Sequence, residues 1–208
     1  MAVDWGGQAV QLIWTRIENW LADNALEILV SLNPGATEEE IKRTEEFLGI
    51  SFPEDVKDSD RIHNGQKPYV DTLDGQQWDY CLIDYRQLLS LARIKDEWSI
   101  WKELLDTGGL GDNYMTLDNG EVCEWWNPRW IPLTSNFCGD HHCLDLSPSL
   151  RGTKGQIIQM WHDIDIRGIV APSFKAWLET FAEDLEAGHY AYDSTLGQLI
   201  DLREETLD

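Results

Sequence analysis

Cations are what this sequence has least of. Its 16 lysines and arginines stand against 38 aspartates and glutamates, a formal net charge of −22. That balance repels nucleic acid and anionic membrane and favours basic partners. Long apolar runs are missing as well: no uninterrupted stretch approaches the roughly 18 residues of a membrane span. The opening residues, Met1-Ala2-Val3-Asp4-Trp5-Gly6-Gly7, hold neither a basic nor an apolar region, so no secretory signal is expected. Cysteine is sparse, and Cys81, Cys123, Cys138 and Cys143 follow no scaffold spacing. They read as reduced cytosolic thiols, and the expected location is the cytoplasm. Glycine-rich phosphate loops are absent; Gly152-Thr153-Lys154-Gly155 lacks the Walker spacing and reads as a hairpin turn.

Apolar and aromatic residues are plentiful. Hydrophobic residues make up 42% of the chain and include 11 tryptophans, which suits a packed core and excludes a solvated, disordered chain. Val10, Ile13, Trp14, Ile17 and Leu21 form one stripe of an amphipathic helix, followed by a short apolar set at Leu26, Leu29 and Val30. Asn33-Pro34-Gly35 breaks the chain. Thr37 and Glu40 then have capping-box spacing, with Ile41, Thr44 and Leu48 on one face and Gly49 as the stop. Pro53-Glu54-Asp55 opens another helix that ends at His63-Asn64-Gly65, where His63 is expected to cap carbonyls. Trp78 to Asp84 reads as a strand, and Leu91, Ile94, Trp98, Trp101 and Leu105 as a longer helix stopping at Gly108-Gly109. Short apolar runs at Trp130–Leu133, Cys143–Leu146 and Gln156–Trp161 suggest an antiparallel sheet. A last helix carries Phe174, Trp177, Leu178, Phe181 and Leu185. The sum is α+β: a mainly antiparallel sheet flanked by helices, with an extra N-terminal helix.

Three sets of residues invite a catalytic or metal reading. Cys138, Asp140, His141, His142 and Cys143 offer zinc-type ligands, but neighbours on a strand point to opposite faces, so no metal site is expected. Ser135, His142 and Asp145 could be written as a triad, yet no nucleophile elbow gives them a context. Asp163 and Asp165 could pair as glycosidase acids, although a chain with so many acids places them close by chance. The reading is non-catalytic, without cofactor; a hydrolase or metal-dependent enzyme carries low weight.

In three blocks the residues resemble the SUKH superfamily of cell-wall-assembly regulators. The first runs through Leu32–Ile41, Leu48–Asp55 and Arg61–Gln66. The second is Trp125-Trp126-Asn127-Pro128-Arg129-Trp130-Ile131-Pro132-Leu133 with Gly139-Asp140 and Cys143–Pro148. The third is Gly152–Ile157, Trp161-His162-Asp163, Ala171–Phe174 and the Trp177-Leu178 helix. The resemblance implies a curved α+β domain over residues 32–187, with 1–31 as a helical extension packed on it and 188–208 as a short, loosely held acidic tail. It further implies an intracellular protein-binding role. The leading form is an immunity protein that neutralises a toxin domain, such as a nuclease, through its acidic surface; the alternative is a regulatory scaffold of cell-wall or glucan synthesis. The absence of long disordered arms favours the stand-alone, bacterial type. The partner is expected to be a basic protein.

Glu124, Trp125, Trp126, Asp140 and Asp145 are the expected partner-binding residues. In an extended segment one of the two adjacent tryptophans faces out and can anchor an interface, unless the N-terminal helix covers both. Two places depart from the family pattern. Ser147 stands where an aspartate is usual, which weakens any cation site in that loop. The other departure is Lys57-Asp58-Ser59-Asp60, where the family has small and aromatic or apolar residues before the turn; Asp60 lies four residues after Val56 on the same helical face, so it is expected to be exposed or paired with Arg61 or Arg43.

Overall fold

The computed structural model describes residues 5–71, 75–83, 85–111, 114–117, 122–150 and 152–203, with the backbone alone at 5–6, 114–117 and 122–124. Among these residues the helices are α1 (Trp5–Asn24), α2 (Leu26–Ser31), α3 (Glu38–Leu48), α4 (Glu54–Ile62), α5 (Leu91–Asp106) and α6 (Phe174–Glu186). The strands are β1 (Val70–Asp71), β2 (Gln77–Trp78), β3 (Gln87–Leu88), β4 (Tyr114–Leu117), β5 (Val122–Glu124), β6 (Trp130–Pro132) and β7 (Thr134–Ser135). They continue with β8 (His141–Asp145), β9 (Gln156–Met160), β10 (Ile166–Arg167), β11 (Ile169–Ala171), β12 (Tyr190–Asp193) and β13 (Gln198–Asp201). The fold is α+β, as the residue patterns require.

The helices begin and end where their sequences say they should. Thr37 Oγ1 accepts from the Glu40 backbone amide while the Glu40 carboxylate accepts from the Thr37 amide, closing the capping box of α3. Gly49 takes the left-handed position after it, with φ 65°. Ser90 and Ser173 accept the first-turn amides of α5 and α6. The stripe of α1 is wholly inside: Val10, Ile13, Trp14, Ile17 and Leu21 are buried, and Trp14 donates its indole N–H to Ser59 Oγ of α4 at 2.9 Å. In α2 Ile28 and Ser31 are buried, after Ala25 at its cap; of the expected set, Leu29 is half-buried against the core while Leu26 and Val30 are exposed. The chain turn at Ala25 rotates this short helix relative to α1, so the earlier periodicity does not carry through.

The main sheet has the order β11-β9-β8-β6 and is antiparallel throughout. Side chains alternate across it. Ile131, Leu144, Ile157 and Ala171 enter the large core formed with α1, α3, α4 and α6. Trp130, Cys143, Ile158 and Met160 enter a second core against Trp101 and Trp126. Both faces of the sheet are therefore buried, and β8 reads as one continuous buried strand. A parallel contact joins β10 to β4, beside the antiparallel pair β4–β5.

Two expectations change. The Trp78–Asp84 strand is reduced to β2, followed by single bridges at Cys81 and Ile83, and Asp84 lies outside the described residues. The tail from Gly188 is not loose up to Arg203. Strands β12 and β13 pair as a hairpin, Tyr190 and Leu199 are buried, and the Cys81 amide donates to the Gly197 carbonyl at 3.0 Å. The physical reason is local: Asp193 Oδ1 accepts from the Thr195 and Leu196 amides, and Gly197 supplies a positive φ for the turn. Residues 204–208 lie outside the described residues.

Candidate functional site

The segment from Trp125 to Asp145 runs along the face of the sheet that α5 covers. Alternation on β8 sends His141, Cys143 and Asp145 toward α5 and sends His142 and Leu144 toward the main core. His141 meets Trp101 of α5, whereas His142 sits edge-on to Trp177 of α6 with ring centroids 5.5 Å apart. The two imidazoles thus face opposite sides of one sheet, and they form no common ligand set with Cys143.

The five residues expected to hold a partner occupy different situations. Trp126 is fully buried, stacked on Trp101 at 6.3 Å and edge-on to Trp98 at 6.1 Å. Its cover is α5 rather than the N-terminal helix. Trp125 is half-buried, with the Arg167 guanidinium 5.2 Å from its ring centroid and Arg167 Nη2 donating to its carbonyl. Asp145 is buried: Oδ1 accepts from Trp130 Nε1 and the Ser147 amide, and Oδ2 accepts from Gln156 Nε2. Burial raises its pKa against those three bonds. Asp140 is buried too. Its Oδ1 accepts from the His162 amide and His162 Nδ1, and its Oδ2 accepts from Asn136 Nδ2 at 2.7 Å. Burial alone would raise its pKa, but these bonds outweigh it and hold the carboxyl below its usual range. Glu124 ends β5, and its side chain lies outside the described residues. Trp126, Asp140 and Asp145 are therefore interior groups that build the turn and the sheet, and the surface role expected of them does not fit their placement. The physical reason is that this sheet is packed on both faces, so a strand position facing away from the main core still faces protein.

The other chemical readings resolve similarly. Ser135 Oγ donates to Glu97 Oε1 at 3.3 Å and accepts from the Phe137 amide, while His142 and Asp145 project from opposite faces of β8, so the three do not meet as a triad. Asp140, His162 and Asp163 each bring a possible ligand atom within 4.8 Å of one another. That trio could in principle hold a cation. Within it, however, His162 Nδ1 and Asp140 Oδ1 are already hydrogen-bonded at 2.8 Å.

Asp60 differs from expectation. It is buried, and its Oδ2 has no hydrogen-bond partner among the described residues. Arg61 turns away to Glu38, Glu54 and Asp58, at 2.6, 2.8 and 2.7 Å. Burial pushes the Asp60 carboxyl up to about 8, against a weaker pull from the Arg61 charge. The His63 ring does not cap its own helix: Nδ1 lies 2.9 Å from the Asn33 carbonyl in the loop after α2, and Nε2 lies 2.8 Å from Glu18 Oε1 of α1.

The surface offers two kinds of group for a partner. The first is carboxylate in excess, because the basic side chains are largely spoken for: Arg61 as above, Arg16 with Glu186, Lys57 with Glu45 and Glu54, and Arg203 with Asp184 and Asp201. The second is an exposed aliphatic run, Ile164, Ile166, Ile169 and Val170. Sequence reasoning weighed only the flanking Asp163 and Asp165 here. The β-branched run was visible, but such a run ordinarily signals a covered strand. No helix among the described residues is long and apolar enough to cross a membrane.

Known proteins resemble this chain over most of its length. The chain is 29% identical over 192 residues to the "Cell wall biosynthesis/cell cycle regulator smi1" of Schizosaccharomyces pombe, covering 86% of this chain and 37% of that protein. It is 27% identical over 207 residues to the "Cell wall assembly regulator SMI1" of Saccharomyces cerevisiae, covering 86% and 41%. It is 26% identical over 220 residues to the "Glucan synthesis regulatory protein" of Neurospora crassa, covering 89% and 40%. The chain thus spans about two fifths of the length of these relatives. Residues 35–180, from the glycine before the capping box to the middle of α6, match the SMI1 / KNR4 family (SUKH-1), and the chain belongs to that family.

Proposed function

We propose that this chain is a regulatory protein-binding domain in the control of cell-wall or glucan synthesis, working by holding a basic partner protein in the cytoplasm rather than by catalysis. The observation that carries it is the family membership together with relatives described as wall-assembly or glucan-synthesis regulators, none of them by a reaction. Because the chain corresponds to part of those proteins, the role proposed is that of the matching domain. The internal bonding of Ser135, His141, Asp140 and Asp145 supports a scaffold use of groups that could otherwise do chemistry. The net charge of −22 supports a basic protein, and not nucleic acid or anionic membrane, as the partner. The toxin-neutralising reading has that same charge behind it and nothing further, so the regulatory reading takes precedence.

The experiment replaces the matched stretch of the Saccharomyces cerevisiae regulator with this chain in a strain lacking the native protein. Restored growth on a wall-binding dye and restored wall glucan support the reading. Failure by a chain shown to be folded in those cells contradicts it. Partner affinity is also expected to fall steeply with added salt, and a salt-insensitive complex would speak against acidic-surface binding.

A further inference from the structure

Residues 162–170 break the rule that large aliphatic side chains go inside. Ile164, Ile166, Ile169 and Val170 are 44, 51, 55 and 44% exposed within seven positions. The one basic residue of the run, Arg167, is buried, whereas Asp163 and Asp165 are exposed. A Cβ placed on Gly168 would meet nothing within 4 Å, so the backbone itself faces open space there. The register of β11 against β9 shifts between Ile169 and Ala171, and at this irregularity both Ile169 and Val170 are left exposed. β11 is also the end strand of the main sheet: β9 pairs with one side, and among the described residues no strand pairs with the other.

An exposed apolar edge is a template for another strand, and proteins usually blunt it with lysine, proline or an inward charge. β11 carries no lysine, proline or charge, and Pro172 comes only after it; its one irregularity is the register shift against β9 between Ile169 and Ala171. The edge is thus left available in a protein whose proposed work is binding.

We propose that β11 is the docking edge for an extended basic segment of the partner protein, with Ile164 and Ile166 as exposed side chains beside it, the backbone of β10 being already paired with β4. The segment adds as a strand to β11. Its aliphatic side chains cover Ile164, Ile166 and Ile169, and its lysines or arginines meet Asp163 and Asp165. Main-chain hydrogen bonds supply affinity in this mode, and side-chain complementarity supplies specificity. Charge selects the occupant. A second copy would bring its own Asp163 and Asp165 and a further net charge of −22 to the same edge, so electrostatics opposes self-pairing and favours a cationic strand. This inference rests on the partner-binding reading above and names the surface that serves it.

The test uses the full chain and a short capped peptide of alternating lysine and valine, followed by amide chemical shifts. Saturable shifts confined to residues 164–171 and their β9 neighbours are expected. Ile169→Asp should weaken binding by at least about tenfold, since it places a carboxylate among apolar contacts. Its melting temperature should stay near that of the parent. Methylating alternate amide nitrogens of the peptide should abolish binding without altering the protein, and an alternating glutamate–valine peptide should not bind. Absence of binding, shifts centred elsewhere, or indifference to methylation overturns the inference. So does a chain that sediments as a dimer and is made monomeric by Ile169→Asp, because the occupant would then be a second copy. If the domain replacement in yeast succeeds while the peptide ignores β11, this inference alone fails. If the peptide docks on β11 while a folded replacement fails, the regulatory reading fails instead.

Discussion

Trp101 of α5 donates its indole N–H to Nε2 of His141 on β8, at 3.2 Å. The other ring nitrogen, Nδ1, lies 2.7 Å from the Thr134 carbonyl, which can only accept. Nδ1 therefore carries the proton and Nε2 the lone pair, and the imidazole is neutral. This contact joins the Trp101–Trp126 core to the sheet. Ring nitrogen chemical shifts of His141 should show the Nδ1–H form from pH 6 to 8; a predominantly Nε2–H pattern would contradict the assignment. Trp101→Phe leaves Nε2 buried without its donor, and the expected loss in urea unfolding is about 1–3 kcal/mol.

Burial also lowers the pKa of both neighbouring histidines, and that of His142 falls to about 3. In the unfolded chain a histidine titrates near 6.5. Between those values the unfolded state binds more protons than the folded one, so stability falls as the solution is acidified below about 6.5. For His142 the loss from pH 7 to pH 5 is about 2 kcal/mol. Urea titrations of His142→Gln against the parent should show this slope flattened; parallel curves would refute it.

Asp60 acts in the opposite sense. Its folded pKa lies above the unfolded value, so the folded state holds the extra proton and stability falls as pH rises from about 4 to about 8. Asp60→Asn removes the titration. The variant should gain on the parent in stability by a margin that grows with pH and reaches on the order of 5 kcal/mol at pH 8. Asp60→Tyr, which replaces the carboxyl with an aromatic side chain, should likewise raise the melting temperature. An unchanged melting temperature at pH 8 in both variants would show that the carboxylate is accommodated.

At the His63-Asn64-Gly65 turn the backbone leaves no room for a side chain. Gly65 has φ 59°, and a Cβ on it would lie 2.3 Å from the Leu89 carbonyl carbon and 2.4 Å from the Ser90 amide nitrogen. Next to it, Asn64 Oδ1 accepts from the Leu91 amide at the start of α5. Gly65→Ala should cost about 3 kcal/mol or more, from strain and from displacement of the α5 entry. A melting temperature within a degree or two of the parent would show that the turn can shift.

Much of this protein is determined by local sequence alone. The capping box of Thr37 and Glu40, the stripes of α1 and α6, the glycine stop after α3 and the three runs that became β6, β8 and β9 depend on residues a few positions apart. Their hydrogen bonds and periodicities are legible without the fold. The family blocks lie on these same elements for the same reason. What the tertiary structure alone decided is which side of each element meets protein and which meets water. Trp126 looked like a surface anchor, but Trp98 and Trp101 of α5 cover it, and Asp140 and Asp145 are turned inward by His162, Asn136, Trp130 and Gln156. Asp60 looked like a group that must reach solvent or arginine until Arg61 was taken by Glu38, Glu54 and Asp58. The exposure of Ile164, Ile166, Ile169 and Val170 shows only where β11 is seen as the end strand of the sheet. Burial is set by contacts between segments distant in sequence, here α5 on β8 and β11 beside β9, and no local pattern carries that information.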